Sequence, residues 1–195
     1  SGDIEVNAYS THAITNAVVT AGAAGSSSVG VGAAATVAVN KLEGETDAAI
    51  EASDVNKDKT SEIGNVSVSA DDIGSITSAL GNAAVGIGAD GGAALGEAAD
   101  TVQLSRNVNA VIDGNDIGKN TVNANQLTVS ADAAHTVSTT AVGVSVSGGI
   151  YGSLSVAGTT SLTKVDGAVK AAVYDISGQN SGFTVSANQS SDVLL

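Results

Sequence analysis

The chain repeats itself at a long, nearly fixed interval, and that constrains its fold more than any single residue does. The strings Ile4–Ala8 (IEVNA), Val66–Ala70 (VSVSA), Leu127–Ala131 (LTVSA) and Phe183–Ala187 (FTVSA) recur at spacings of 62, 61 and 56 residues. A second string recurs in step, as Asp47–Val55, Asn109–Ile117 and Lys170–Ile176. A third links the first and last copies, because Val39–Gly44 (VNKLEG) answers Leu162–Gly167 (LTKVDG). Periodic chains are arrays whose units bury their apolar faces on one another. The repeats span 2–63, 64–124, 125–181 and the start of a fourth at 182–195, within one segment covering 1–195.

The material of the core is unusual. The 195 residues are 43% hydrophobic, yet they include one Phe, three Tyr and no Trp or Met. A core of this kind is built from small and β-branched side chains, which suit regular sheets. Proline is absent, as a long stack of paired strands requires, because each proline removes a ladder donor. Cysteine is absent too, which excludes disulfides, thiolate zinc sites and a cysteine nucleophile. A net charge of −13 with only seven basic residues argues against nucleic acid and anionic lipid as partners. The opening Ser1–Gly2 reads as a cut point in a longer chain.

Charge is segregated along the first and third repeats, and only in part along the middle copy, where Asp71, Asp72 and Asp90 intrude. No Asp, Glu, Lys or Arg occurs from Val6 to Asn40 or from Ala133 to Thr163, whereas 41–62 and 106–119 are rich in them. The uncharged stretches are long enough for membrane spans, but Gly, Ser, Thr and Asn replace the Leu, Ile, Phe and Val that insertion demands. No membrane insertion of this segment is expected. Alternation at period two (Val142-Gly143-Val144-Ser145-Val146 is one case) indicates strands, and Gly92–Leu104 reads as strand by analogy with its counterparts. Gly, Asn and Asp clusters between such runs mark corners. Division of each repeat into three parts of about 20 residues predicts three β-solenoid coils per repeat. About nine coils would then form a rod of roughly 40–45 Å along the stack. Period two does not separate parallel from antiparallel pairing, so an antiparallel β-sandwich or roll is the alternative.

Few residues look like chemistry. Gly86–Gly91 satisfies G-x-G-x-x-G, but a dinucleotide site needs a helix opening on the last glycine; a turn between strands is the simpler reading. Around Asp90 the same stretch approaches a calcium-binding nonapeptide pattern without a second copy. Asp54, Asn56 and Asp58 have the alternate spacing of a calcium loop, yet Lys59 takes the position of the required glycine. Asp113 and Asp116 form a similar acidic turn. These six residues are the weak calcium candidates, and no other cofactor is indicated. His12 and His135 occupy equivalent repeat positions with Gly74 between; the three-coil scheme sets them several coils apart, as lone surface histidines. Arg106 is the only arginine, and its neighbours in sequence give no acid pair flanking a sugar bond. No catalytic residue is assigned, and the chain is read as a non-enzyme.

The copies of V-x-V-x-A followed by Gly/Ala/Ser/Val tracts, then AVNKLEG and DAAIEAS, resemble the passenger repeats of large bacterial secreted proteins. These are the autotransporter and two-partner-secretion adhesins, the haemagglutinins and the fusobacterial leukotoxin-like proteins. The resemblance implies a right-handed parallel β-helix displayed on the bacterial outer surface or secreted. It implies a rigid stalk that associates with itself or with a host protein or glycan. A scaffold segment of a secreted toxin and a carbohydrate-active β-helix enzyme are the alternatives.

Overall fold

The structure is a computed structural model, described over residues 2–58, 63–114 and 119–195. It consists of strands, with no helix among the described residues. Strand β1 (Ile4–Ser26) runs out, turns over Ser27–Ser28, and β2 (Val29–Glu51) runs back. The next repeat does the same with β3 (Val66–Gly88) and β4 (Gly91–Asp113), turning at Ala89–Asp90. Between them and the third long coil lies a short strand, β5 (Asn120–Thr121). The third coil comprises β6 (Ala124–Gly148), β7 (Ser153–Asp166), β8 (Val169–Tyr174) and the short β9 (Ile176–Ser177). A fourth coil opens with β10 (Asn180–Leu194).

All pairing among the described residues is parallel, which excludes the antiparallel sandwich or roll. One sheet has the order β1-β3-β6-β10, and the facing sheet has β2-β4-β7 with β8 continuing β7 along β4. A narrow third side is made by β5 on β9 and by a bridge from Val55 to Val122. This is the stacked parallel architecture of a β-solenoid.

The register corrects the expected coil. Ile4 pairs with Val66, Val66 with Leu127 and Leu127 with Phe183, so each 61–62-residue repeat is one coil rather than three. The reason lies in the strands: inward and outward positions keep one parity along the 23 residues of each of β1 to β4, with a lapse only at Gly44 and at the end of β1, and no corner lies inside. Twenty-three residues at about 3.3 Å extend roughly 75 Å, whereas three coils at about 4.8 Å stack to only about 15 Å. The protein is a flat slab whose long axis follows the strands. The nine-coil rod is not what this sequence builds.

The core is segmented along that axis. Near the third side, Val66, Val68, Ala70, Leu127, Val129 and Ala131 meet Val108, Ala110 and Ile112, and Val55 and Val122 close the end. A second cluster joins Ile76, Val102, Leu104 and Val137, and a third joins Ala38, Leu80 and Ala98. Beyond the third cluster the pattern turns inside out. Inward positions become Gly, Ala, Thr, Asn and Ser, while Val and Leu point outward. Glycine is required there by close approach of the two sheets: a Cβ on Gly86 would lie 1.8 Å from the Ala93 carbonyl oxygen, and one on Gly32 would lie 2.0 Å from that of Val85. With no depth between the layers, larger side chains can only face out.

Candidate functional site

Between the first and second apolar clusters lies a buried ionic group. Asp72 on β3 follows Val66, Val68 and Ala70 on the inward parity, and Arg106 on β4 faces it. Arg106 Nη2 donates to Asp72 Oδ1 at 2.6 Å and Nε donates to Oδ2 at 3.2 Å. His135 Nε2 lies 2.9 Å from the same Oδ2. The guanidinium also reaches Ser10 Oγ at 2.9 Å and Thr46 Oγ1 at 3.1 Å, and Thr46 donates to Asp72 at 3.2 Å. Asp72 is 1% exposed and His135 3%. Burial pushes the Asp72 carboxyl up, but hydrogen bonds from Arg106, His135 and Ser10 outweigh it and hold the group well below the usual carboxylate range. An ion pair this dry is supported only by filling its remaining bonding positions.

The repeated K-(Leu/Val)-acid-Gly string has its explanation here. Gly44, Arg106 and Gly167 stand in one column across three coils. Gly44 has φ +153°, and a Cβ there would sit 2.0 Å from Arg106 Nη1. Gly167 has φ +144°, with its Cβ direction 1.9 Å from the Arg106 carbonyl oxygen. Both glycines make the backbone room that the arginine occupies.

Two sequence expectations change at this cluster. The histidines are not several coils apart, because His12 pairs with Gly74 and Gly74 with His135, which puts them two coils apart in one column. His135 is buried rather than on the surface; a Cβ on Gly74 would lie 3.1 Å from its ring. His12 bonds through Nε2 to Ser10 Oγ. Arg106, whose acidic neighbours in sequence read as a turn, finds its partner 34 residues away in the chain. The signal that could have found it is parity, since Asp72 and Arg106 both fall on the inward positions of their strands.

The calcium candidates lie in separate places. Asp54 accepts from Lys57 Nζ at 2.7 Å and from the Thr121 amide at 2.7 Å; the lysine bond, chiefly, lowers its carboxyl pKa. Asn56 donates to the Asn123 carbonyl at 3.0 Å, and Asn123 returns the bond to Asn56 at 3.1 Å, so the pair ties two coils together on the narrow side. Asp58 is exposed. Asp90 sits at the turn between β3 and β4, and Asp113 ends β4, where its carbonyl accepts from the Ala52 amide at 2.8 Å. Asp116 lies outside the described residues. Among the described residues, no three His, Cys, Asp or Glu side chains converge on one point. Gly86–Gly91 occupies the same turn as Asp90, and strand β4 follows it in place of the helix that a phosphate site needs.

Away from the buried ionic cluster the slab exposes apolar side chains on both of its outer faces. On the outer face of the β2-β4-β7 sheet, β2 exposes Val29, Val31, Val37 and Val39, β4 exposes Leu95 between its register partners Ala33 and Val156, and β7 also exposes Leu154 and Leu162. Val37 is 72% exposed and Leu162 63%. A shallow depression of about 460 Å³ in this face is lined by Ala33, Ala35, Leu95, Glu97, Val156 and Gly158. The outer face of the opposite sheet carries Val19, Ile73, Ile87, Val142, Val144 and Val146. The other half of the slab is the reverse, apolar inside and acidic outside. There, side-chain ladders link coils, as Asn109 donates to Asp47 and Asn188 to Asp132, each at 2.7 Å. No family model matches this chain, and no curated protein or solved structure matches it.

Proposed function

We propose that this chain is a non-enzymatic structural segment of a bacterial surface or secreted adhesin. It serves as a rigid scaffold presenting flat faces for self-association or for a host protein or glycan, outside the cell. The observation that carries this reading is the uninterrupted parallel ladder, from Ile4 through Val66 and Leu127 to Phe183. It ties residues far apart in sequence into one stiff body. The inverted half supports it further, because faces of exposed Val and Leu are surfaces for contact rather than for chemistry. Among the described residues, the cluster of Ser10, Asp72, Arg106 and His135 is buried and bonded within itself except at His135 Nδ1, which has no partner, and this closed arrangement favours a structural role for it.

Beads coated with the chain should clump or attach to host cells, and the chain should resist proteolysis. Turnover of an acidic polysaccharide that is lost on changing Asp113 or Asp116 would replace this reading with the carbohydrate-enzyme one.

A further inference from the structure

We infer that the outer face of the β2-β4-β7 sheet, from Val29 to Val39 along β2, pairs with the same face of a second copy in antiparallel orientation. The inference rests on the scaffold reading above and names the partner of one face. Three strands at about 4.8 Å and about 11 residues at 3.3 Å give roughly 500 Å² of sheet plane per copy. Stable interfaces bury about 800 Å² on each partner, so the pair should be reversible and concentration-dependent. The depression over Ala33, Ala35 and Gly158, flanked by Val and Leu ridges, gives such a face both knobs and a hollow.

Charge sets the orientation. The outward positions that end this face are Lys41 and Lys164, each bonded to an acid on its own strand, Glu43 at 2.9 Å and Asp166 at 3.0 Å. Beyond them lie Glu45, Asp47 and Glu51. Parallel alignment would oppose two acidic halves, whereas antiparallel alignment lays each uncharged half on the other and keeps the acids apart. A second copy is favoured over lipid by the polar groups on the face itself. Glu97 and Thr160 line the depression, Lys41 and Lys164 end it, and a protein interface can keep such groups hydrated whereas a hydrocarbon phase cannot. Glu97 is the one charged side chain on the face, exposed near its middle. Pairing buries two copies of it close together, which limits the affinity.

Sedimentation velocity over a concentration series tests this on four proteins, each checked for strand content. Wild type should show reversible dimers. Glu97→Gln should associate about tenfold or more tightly. Leu95→Asp, at a half-exposed outward site, should remain monomeric, and Val144→Asp on the opposite sheet should behave as wild type. Undiminished association of Leu95→Asp, or no tightening in Glu97→Gln, would overturn the pairing. Wild type that stays monomeric yet floats with neutral phosphatidylcholine vesicles would overturn it in favour of lipid. Should Leu95→Asp lose its strand content, Glu97→Gln decides alone. An extended monomer that never dimerises sinks only this inference; a compact globular monomer sinks the scaffold reading.

Discussion

Replacing Asp72 by asparagine keeps the side chain's shape and deletes the one charge that faces Arg106. In the native protein that guanidinium is 4% exposed, with two bonds to the carboxylate at 2.6 and 3.2 Å. Breaking a buried pair by removing one charge costs about 3–5 kcal/mol. The asparagine oxygen still accepts one bond, and Ser10 and Thr46 still accept others, so a loss of about 3 kcal/mol is expected. With a urea dependence of about 2–3 kcal/mol per molar, the unfolding midpoint should fall by roughly 1–1.5 M. Urea unfolding followed by circular dichroism at pH 7 reads this directly. Combining Asp72→Leu with Arg106→Met removes both charges and should recover most of the loss. A midpoint for Asp72→Asn within about 0.3 M of wild type would refute the view that this pair is desolvated and holds the sheets together.

Acid supplies a second prediction from the same group. The folded carboxyl of Asp72 is held below its ordinary value of 3.8. Its stabilisation is therefore complete above that pH and lost as pH falls toward the folded value. The gap between wild type and Asp72→Asn should be constant above about pH 5, begin to close as pH falls through the ordinary carboxyl value, and go on narrowing at the lowest pH the fold survives; a gap that does not narrow between about pH 5 and about pH 2 would contradict this. Gly86→Val should destabilise by about 3 kcal/mol or more, because its Cβ meets the Ala93 carbonyl at 1.8 Å; Ile87→Val, facing out beside it, should change stability by less than about 0.5 kcal/mol. Leu104→Ala should cost about 2–5 kcal/mol, since this side chain is fully buried in the second cluster, whereas Gln103→Ala should be close to neutral. Thermal melts check both pairs.

Strand content and solenoid architecture were legible in the sequence, because period-two alternation and long repeats each have one physical meaning. Gly92–Leu104, rich in Ala, was correctly read as strand from its counterparts, and it forms most of β4. Coil size was not legible from repeat length alone. A 61-residue unit divides into three by arithmetic, whereas the chain divides only where alternation breaks, at Ser27–Ser28 and near Ser53–Lys57. The buried ionic cluster was hidden for the same reason, since Asp72, Arg106 and His135 meet only once each repeat is a single coil. Charge segregation was visible as composition. Its meaning, that half of the slab is inverted, required knowing that the glycines of one sheet face carbonyls of the other.

The most direct test of one coil per repeat is disulfide trapping in a chain that has no cysteine of its own. Glu5 and Ser67 are exact register partners on the outer face, and neighbouring strands lie about 4.8 Å apart, inside the Cα range of about 4.4–6.8 Å that a disulfide spans. The double variant Glu5→Cys/Ser67→Cys should oxidise to an intramolecular disulfide, read by mass spectrometry of the digested monomer. Glu5→Cys/Gly25→Cys, which a 20-residue coil would bring together, should not, because these positions lie about 65 Å apart along β1. Trapping of the second pair but not the first would contradict the account.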